Sequence, residues 1–183
     1  MKIEIEIHVN YPDHLGFKTF MKYYAKRYIV SQEYDNNRST IFNFKGGAIN
    51  TQVDHLYVNA INELKQKYPN CEFWLCPIPA SNVVENKNRF EDFINRVSGQ
   101  SQIKNGYSLL QAIRDRPKVH VGGARDYSQL LECTSFNNIS GKNIILCDDV
   151  ATIGRSYRTF ANHLHSLGAA YVVGIFLGKT HWP

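Results

Sequence analysis

Ile144-Ile145-Leu146-Cys147-Asp148-Asp149-Val150-Ala151-Thr152-Ile153-Gly154-Arg155-Ser156 is the stretch on which the reading of this chain turns. The run from Asn143 to Cys147 is apolar without interruption after its first residue, the pattern of a central parallel strand covered on both faces. Tyr157, Phe160, Ala161, Leu164 and Leu167 then recur at helical spacing, Gly168 stops them, and residues 171–177 return as the next strand. Alternating strands and helices predict an α/β fold, a mainly parallel sheet with helices on both faces. In such sheets ligands bind beyond the carboxyl ends of the strands.

The same alternation continues upstream. Val53, Tyr57, Ala60, Ile61 and Leu64 share one helical stripe, with Thr51 and Asp54 as a capping box and Pro69 as the stop. Residues 73–76 read as a short buried strand, Pro77, Pro79 and Ser81 as a stiff loop, and Phe90, Phe93, Ile94 and Val97 as a helix closed by Gly99. Nearer the start, Ile3, Ile5, Ile7 and Val9 alternate with Lys2, Glu4, Glu6 and His8, which predicts a half-buried strand at a sheet edge or in a small cap. Phe17, Phe20, Met21, Tyr24 and Tyr28 have helical spacing and predict a short amphipathic helix. Residues 40–44 read as a strand that Lys45, Gly46 and Gly47 end in a loop. Between Gly99 and Gly141 the pattern gives a short helix over residues 107–113, an apolar triplet Val119 to Val121, and a loop opened by Gly122 and Gly123. The expected organisation is one domain over residues 1–183, with a small N-terminal strand/helix addition or cap over 1–40 and a core over 41–183.

Composition bounds the function. At 183 residues and 43% hydrophobic, the chain can bury one substantial core. No stretch approaches the ~20 apolar residues that span a bilayer, and the alternating start lacks the apolar centre of a signal peptide. A soluble cytoplasmic protein with no membrane association is expected. Cys71, Cys76, Cys133 and Cys147 show no paired two-residue spacing, which argues against a zinc site. A net charge of +5 suits an anionic ligand or nucleic acid without choosing between them, since no run of like charge resembles a nucleic-acid tail.

The chemistry lies where the buried strand ends. Residues 152–156 can wrap a phosphate with successive backbone N–H groups, because Gly154 permits a tight approach and the following helix aims its positive end at the anion. Asp148 and Asp149 suit a sugar, since a carboxylate accepts hydrogen bonds from vicinal hydroxyls. One loop can thus read a ribose 5-phosphate from both ends, although paired acids before a turn also serve as helix caps or structural ion sites. Gly178, Lys179 and Thr180 look like the end of a nucleotide-binding P-loop, but Val173 stands where its first glycine is needed.

The order of apolar run, acid pair, Thr, Gly and Ser resembles the phosphoribosyl pyrophosphate motif of the type I phosphoribosyltransferases. The resemblance assigns ribose 5-phosphate binding to Asp148, Asp149, Val150, Ala151, Thr152, Ile153, Gly154, Arg155 and Ser156, with Asp148 and Asp149 catalytic. Ala151, Ile153 and Arg155 depart from the usual pattern, and Ile153 removes one hydroxyl donor. More of the chain is similar to the ComF-related branch: residues 44–47 match a Lys-Gly-rich segment, Pro77, Ile78, Pro79 and Ser81 with Lys87, Arg89 and Phe90 match a Pro-x-Pro segment, and Gly122 with Arg125 matches a late basic one. That similarity spans residues 40–180 and leaves the first forty unexplained.

What the resemblance implies is transfer of ribose 5-phosphate from 5-phosphoribosyl 1-pyrophosphate to a nitrogenous base, with a nucleoside monophosphate as the other natural ligand. It further implies pyrophosphate contacts at Lys45, Ala80, Ser81 and Arg125, and Mg2+ travelling with the donor, reached from Asp148 only through water. A homo-oligomer is compatible with it. The rival reading is a non-catalytic module that keeps the ribose-phosphate loop and acts in DNA uptake, regulation or another nucleic-acid process. For Lys87, Arg89, Arg114, Arg116 and Lys118, taken singly, the expectation is an ordinary solvated surface.

Overall fold

Side chains alternate across each central strand, so one strand feeds two packed layers. The computed structural model describes residues 5, 6, 16–116 and 128–182. Its elements run β1 (Ile5–Glu6), β2 (Phe17–Tyr23), α1 (Gln32–Lys45), α2 (Thr51–Lys67), β3 (Phe73–Pro77), α3 (Val83–Ser101), β4 (Lys104–Asn105), β5 (Leu110–Ala112), α4 (Ser128–Glu132), β6 (Thr134–Phe136), β7 (Asn143–Ala151), α5 (Arg155–Ser166) and β8 (Tyr171–Thr180). The main sheet has the order β1-β2-β8-β7-β3-β4. Every pairing in it is parallel except β1 with β2. β5 and β6 form a separate antiparallel pair.

Ile145 and Cys147 of β7, Val173, Ile175 and Leu177 of β8, and Phe73 and Leu75 of β3 pack under α1, α2 and α3. Their strand neighbours Ile144, Leu146, Val172, Phe176 and Cys76 pack against Tyr157, Phe160, Ala161 and Leu164 of α5. Helices therefore cover both faces, the α/β architecture that the alternating pattern predicts. Among the described residues no helix is long and apolar enough to cross a membrane, and the four cysteines are free.

Several local expectations are overturned. The segment expected as a helix over Phe17 to Tyr28 starts as the strand β2 (Phe17–Tyr23), lying parallel to β8 with Phe17 opposite Gly174, and leaves it in a turn. Its residues satisfy both periods, and pairing with the free edge of β8 decides between them. Residues 40–44, expected as a strand, are the last turns of α1, with Ile41 and Phe44 facing inward three residues apart. The cap of α2 is Asn50, whose side-chain oxygen accepts from the N–H groups of Gln52 and Val53, not the Thr51–Asp54 box. Gly99 does not close α3, which runs on to Ser101 and ends with Gln102 in the left-handed region. Residues 107–113 form a single tight turn followed by β5, not a helix. Val119 to Val121, Gly122, Gly123, Lys118 and Arg125 lie outside the described residues.

Candidate functional site

β7 continues past Cys147 to Ala151, so the acid pair ends a central strand flanked by β3 and β8. Each acid fixes the backbone after it. The Asp149 N–H donates to Asp148 Oδ1 at 2.8 Å, and the Val150 N–H donates to Asp149 Oδ1 at 2.9 Å. Beneath them the hydroxyl of Tyr57, buried in α2, donates to the Asp148 carbonyl at 2.9 Å.

Two cations face the carboxylates. Arg89 Nη1 stands 3.6 Å from Asp148 Oδ1 and 3.9 Å from Asp149 Oδ2, and Lys45 Nζ stands 3.6 Å from Asp149 Oδ2. Burial pushes the Asp148 carboxyl well above the usual carboxylate range; the neighbouring Asp149 charge adds to this and the Arg89 guanidinium opposes it. Burial likewise raises the Tyr57 phenol and the Cys147 thiol, leaving both neutral.

The chain then turns sharply. Gly154 has φ +71°, which only glycine adopts without strain, and it precedes the first turn of α5. No side chain caps that turn and no acidic residue lies in it, so its N–H groups and the helix dipole are available to an anion. The Arg158 guanidinium donates to the Ile153 carbonyl at 2.8 Å, which draws the loop onto the helix.

All nine residues from Asp148 to Ser156 line a single open cavity of about 310 Å³. Lys45 lines it too, with Tyr23, Ile41, Phe42, Phe176 and Thr180. Thr152, Ile153 and Arg155 are exposed at its wall. Ala80 and Ser81 are not among its lining residues. Their loop leaves β3 beside β7, but the Ala80 N–H donates to Asn86 Oδ1 at 2.9 Å, and the Ser81 carbonyl accepts from the Arg116 N–H at 2.7 Å. Arg125 falls outside the described residues. The cavity can therefore offer a sugar phosphate carboxylate acceptors, with Lys45 beside Asp149, and the backbone donors of the loop.

Arg89 is the residue that sequence reasoning missed. It was expected on a solvated surface, yet it is 7% exposed and touches both acids. The available signal was its spacing: Asn86, Arg89 and Phe93 fall at i, i+3 and i+7 on the buried stripe of α3. Tyr57 was identified as a core residue, but its hydrogen bond to the site strand has no sequence signature.

No family model matches the chain, and no curated protein does. Among solved structures, it is similar to the hypoxanthine-guanine phosphoribosyltransferase from Schistosoma mansoni in complex with IMP. The match has 11% identity over 87% of this chain and 79% of that one, with a TM-score of 0.35.

Proposed function

We propose that this chain binds a 5-phosphorylated ribose across residues 148–156 and acts as a phosphoribosyltransferase, moving that group from 5-phosphoribosyl 1-pyrophosphate to a nitrogenous acceptor. One observation carries the reading: an acid pair ending a central parallel strand and an uncapped helix start behind a left-handed glycine line the same cavity. The motif resemblance of residues 144–156 supports the same ligand. Residues 1–183 act in this reading as one domain, with 1–40 an addition to the core that supplies β2 and the cavity residue Tyr23.

The chemistry asked of the protein is positional and electrostatic. The ribose hydroxyls would donate to Asp148 and Asp149 while the loop N–H groups hold the 5-phosphate. Departure of pyrophosphate builds positive charge on the ribose ring, and a carboxylate preorganised beside it stabilises that charge. Lys45, the half-exposed cation at the cavity, would meet the leaving anion in this reading.

Mg2+ fits this site in one way. Among the described residues no three metal-binding side chains cluster, and the two carboxylates already face Arg89 and Lys45. Such a metal would enter on the donor's pyrophosphate oxygens, with Asp148 reaching it through water, and would neutralise those oxygens. The transferase reading is tested by calorimetric titration of the pyrophosphate donor with magnesium, against ribose 5-phosphate and AMP. The expected result is micromolar binding of the donor, lost about a hundredfold or more in Asp148→Asn/Asp149→Asn, the loss of two charge-assisted contacts. Unchanged affinity in that folded double variant removes the assignment.

A second reading, a non-catalytic ribose-phosphate module, is favoured by the pairing of the Ala80 N–H with Asn86, which occupies a donor the pyrophosphate would use. Binding of monophosphates but not the pyrophosphate donor, with salt-sensitive affinity for single-stranded DNA, would select it.

A further inference from the structure

Two carboxylates beside a phosphate cradle pose an electrostatic problem, because each would repel the anion the loop is built to hold. The chain places a buried cation at that point. Arg89 projects from the inward stripe of α3 with a side chain 6% exposed, and a guanidinium so far from water needs compensating partners. Its Nε donates to the Lys45 carbonyl at 3.2 Å. Its Nη1 lies 3.6 Å from Asp148 Oδ1 and 3.9 Å from Asp149 Oδ2. These are ion-pair separations longer than a hydrogen bond. Arg89 thus supplies charge to both acids while leaving acceptor capacity for hydroxyls.

The contrast with Lys45 is informative. Its side chain is 55% exposed, so it can leave Asp149 for an incoming anion, whereas Arg89 cannot leave. Arg89 also joins three elements, since its Lys45 partner ends α1 and the acids end β7. Gly47, at φ +83°, lets the α1 end approach α3 closely; a Cβ there would lie 2.5 Å from the Asn88 carbonyl oxygen.

We infer that Arg89 is a positioning residue for the acid pair: it holds Asp148 and Asp149 against the end of α1 and cancels part of their charge toward the phosphate loop. This rests on the ribose-phosphate reading above. A role in packing alone would make the loss of Arg89 insensitive to the charge of the acids. A counter-ion role makes the two inseparable, so neutralising one acid should compensate for removing the cation.

The test uses the full chain and calorimetric titration of inorganic phosphate, which engages the loop without ribose contacts, and of ribose 5-phosphate. Arg89→Met should weaken phosphate binding about tenfold, the scale of one partly screened charge nearby, and Arg89→Lys should recover most of it. Arg89→Met/Asp149→Asn should return phosphate affinity toward wild type without restoring ribose 5-phosphate affinity. If Arg89→Met does not fold alone, Arg89→Met/Asp149→Asn should bind phosphate within about threefold of Asp149→Asn, well short of the roughly tenfold cost expected with both acids charged. Equal phosphate affinity in Arg89→Met and wild type, or no compensation by Asp149→Asn in either comparison, overturns the inference while leaving the ribose-phosphate reading in place. Failure of wild type to bind either ligand removes that reading and this inference with it.

Discussion

The β7–α5 segment and the β2–α1 segment wall the same cavity and contribute opposite things to it. The first brings two carboxylates and a run of backbone donors within nine consecutive residues. The second brings Tyr23, Ile41, Phe42 and Lys45, scattered over more than twenty. β7 lies between two long-paired strands, while β2 lies between β8 and the two-residue β1. Yet the outer segment supports the inner one. Phe17 packs edge-on against Tyr157 of α5 and Phe176 of β8, with ring centroids 5.6 and 5.4 Å away. The carboxylates and loop donors of the cavity are local in sequence, and their mechanical support is not.

Phe17→Ala is the sharpest way to break that comparison. Phe17 is 4% exposed in the layer that also holds α5, so truncation should cost about 3–5 kcal/mol of stability, the range for a buried phenylalanine. Urea unfolding of the full chain measures it. A loss under about 1 kcal/mol, which is a surface-like response, would make β2 an appendage and dissolve the contrast between support and site.

The same two segments explain what the sequence disclosed. Residues 144–147 are apolar without interruption because β7 is covered on both faces, and no helix of that length would bury every side chain. The acids, threonine, glycine and serine then follow in one reading frame, so the nine-residue cavity wall was legible as a unit. β2 has no such signature: Phe17, Phe20, Met21 and Tyr24 fit a helical stripe as well as a strand, and the deciding partner, Gly174 to Thr180, is about 150 residues away. Residues 40–44 mislead for the converse reason. Thr40, Ile41 and Phe42 favour strands locally, but only Ile41 and Phe44 find a core to enter, and that requires helical spacing. Arg89 was hidden by its charge, since nothing local says that an arginine on an apolar stripe has two acids waiting for it.

Gly154 joins the two segments and gives the next measurement. A Cβ added there would lie 3.1 Å from Phe17 Cε1 and would sit on a left-handed backbone. Gly154→Ala should therefore cost about 1–2 kcal/mol from the φ angle, with added crowding against Phe17 and a severalfold loss of phosphate affinity. Contacting residues do not contribute additively. In the Phe17→Ala background the crowding disappears and only the backbone cost should remain. Equal costs in both backgrounds would show that β2 does not press on the loop.

The smallest effect sharpens the chemical side of the comparison, because it isolates one proton on β7. Burial and the Asp149 charge raise the Asp148 carboxyl above its ordinary range. Between that range and its raised value the unfolded chain has lost the Asp148 proton and the folded chain has kept it. The folded state then binds more protons, so this residue's contribution to stability falls as pH rises through the window and levels off once Asp148 ionises in the fold. Ligand binding has the opposite sign. In the proposed reading ribose hydroxyls donate to the ionised form, so binding should expel the proton and tighten with rising pH by at most about tenfold per unit, the limit for one proton. Calorimetric titration of ribose 5-phosphate at one pH, in two buffers of different ionisation enthalpy, counts that proton directly. Asp148→Asn should abolish the Asp148 share and leave only the ligand phosphate's own titration. A count unchanged by Asp148→Asn would mean that Asp148 keeps its protonation state on binding, and proton uptake that disappears in Asp148→Asn would mean that it gains a proton; either result overturns this prediction.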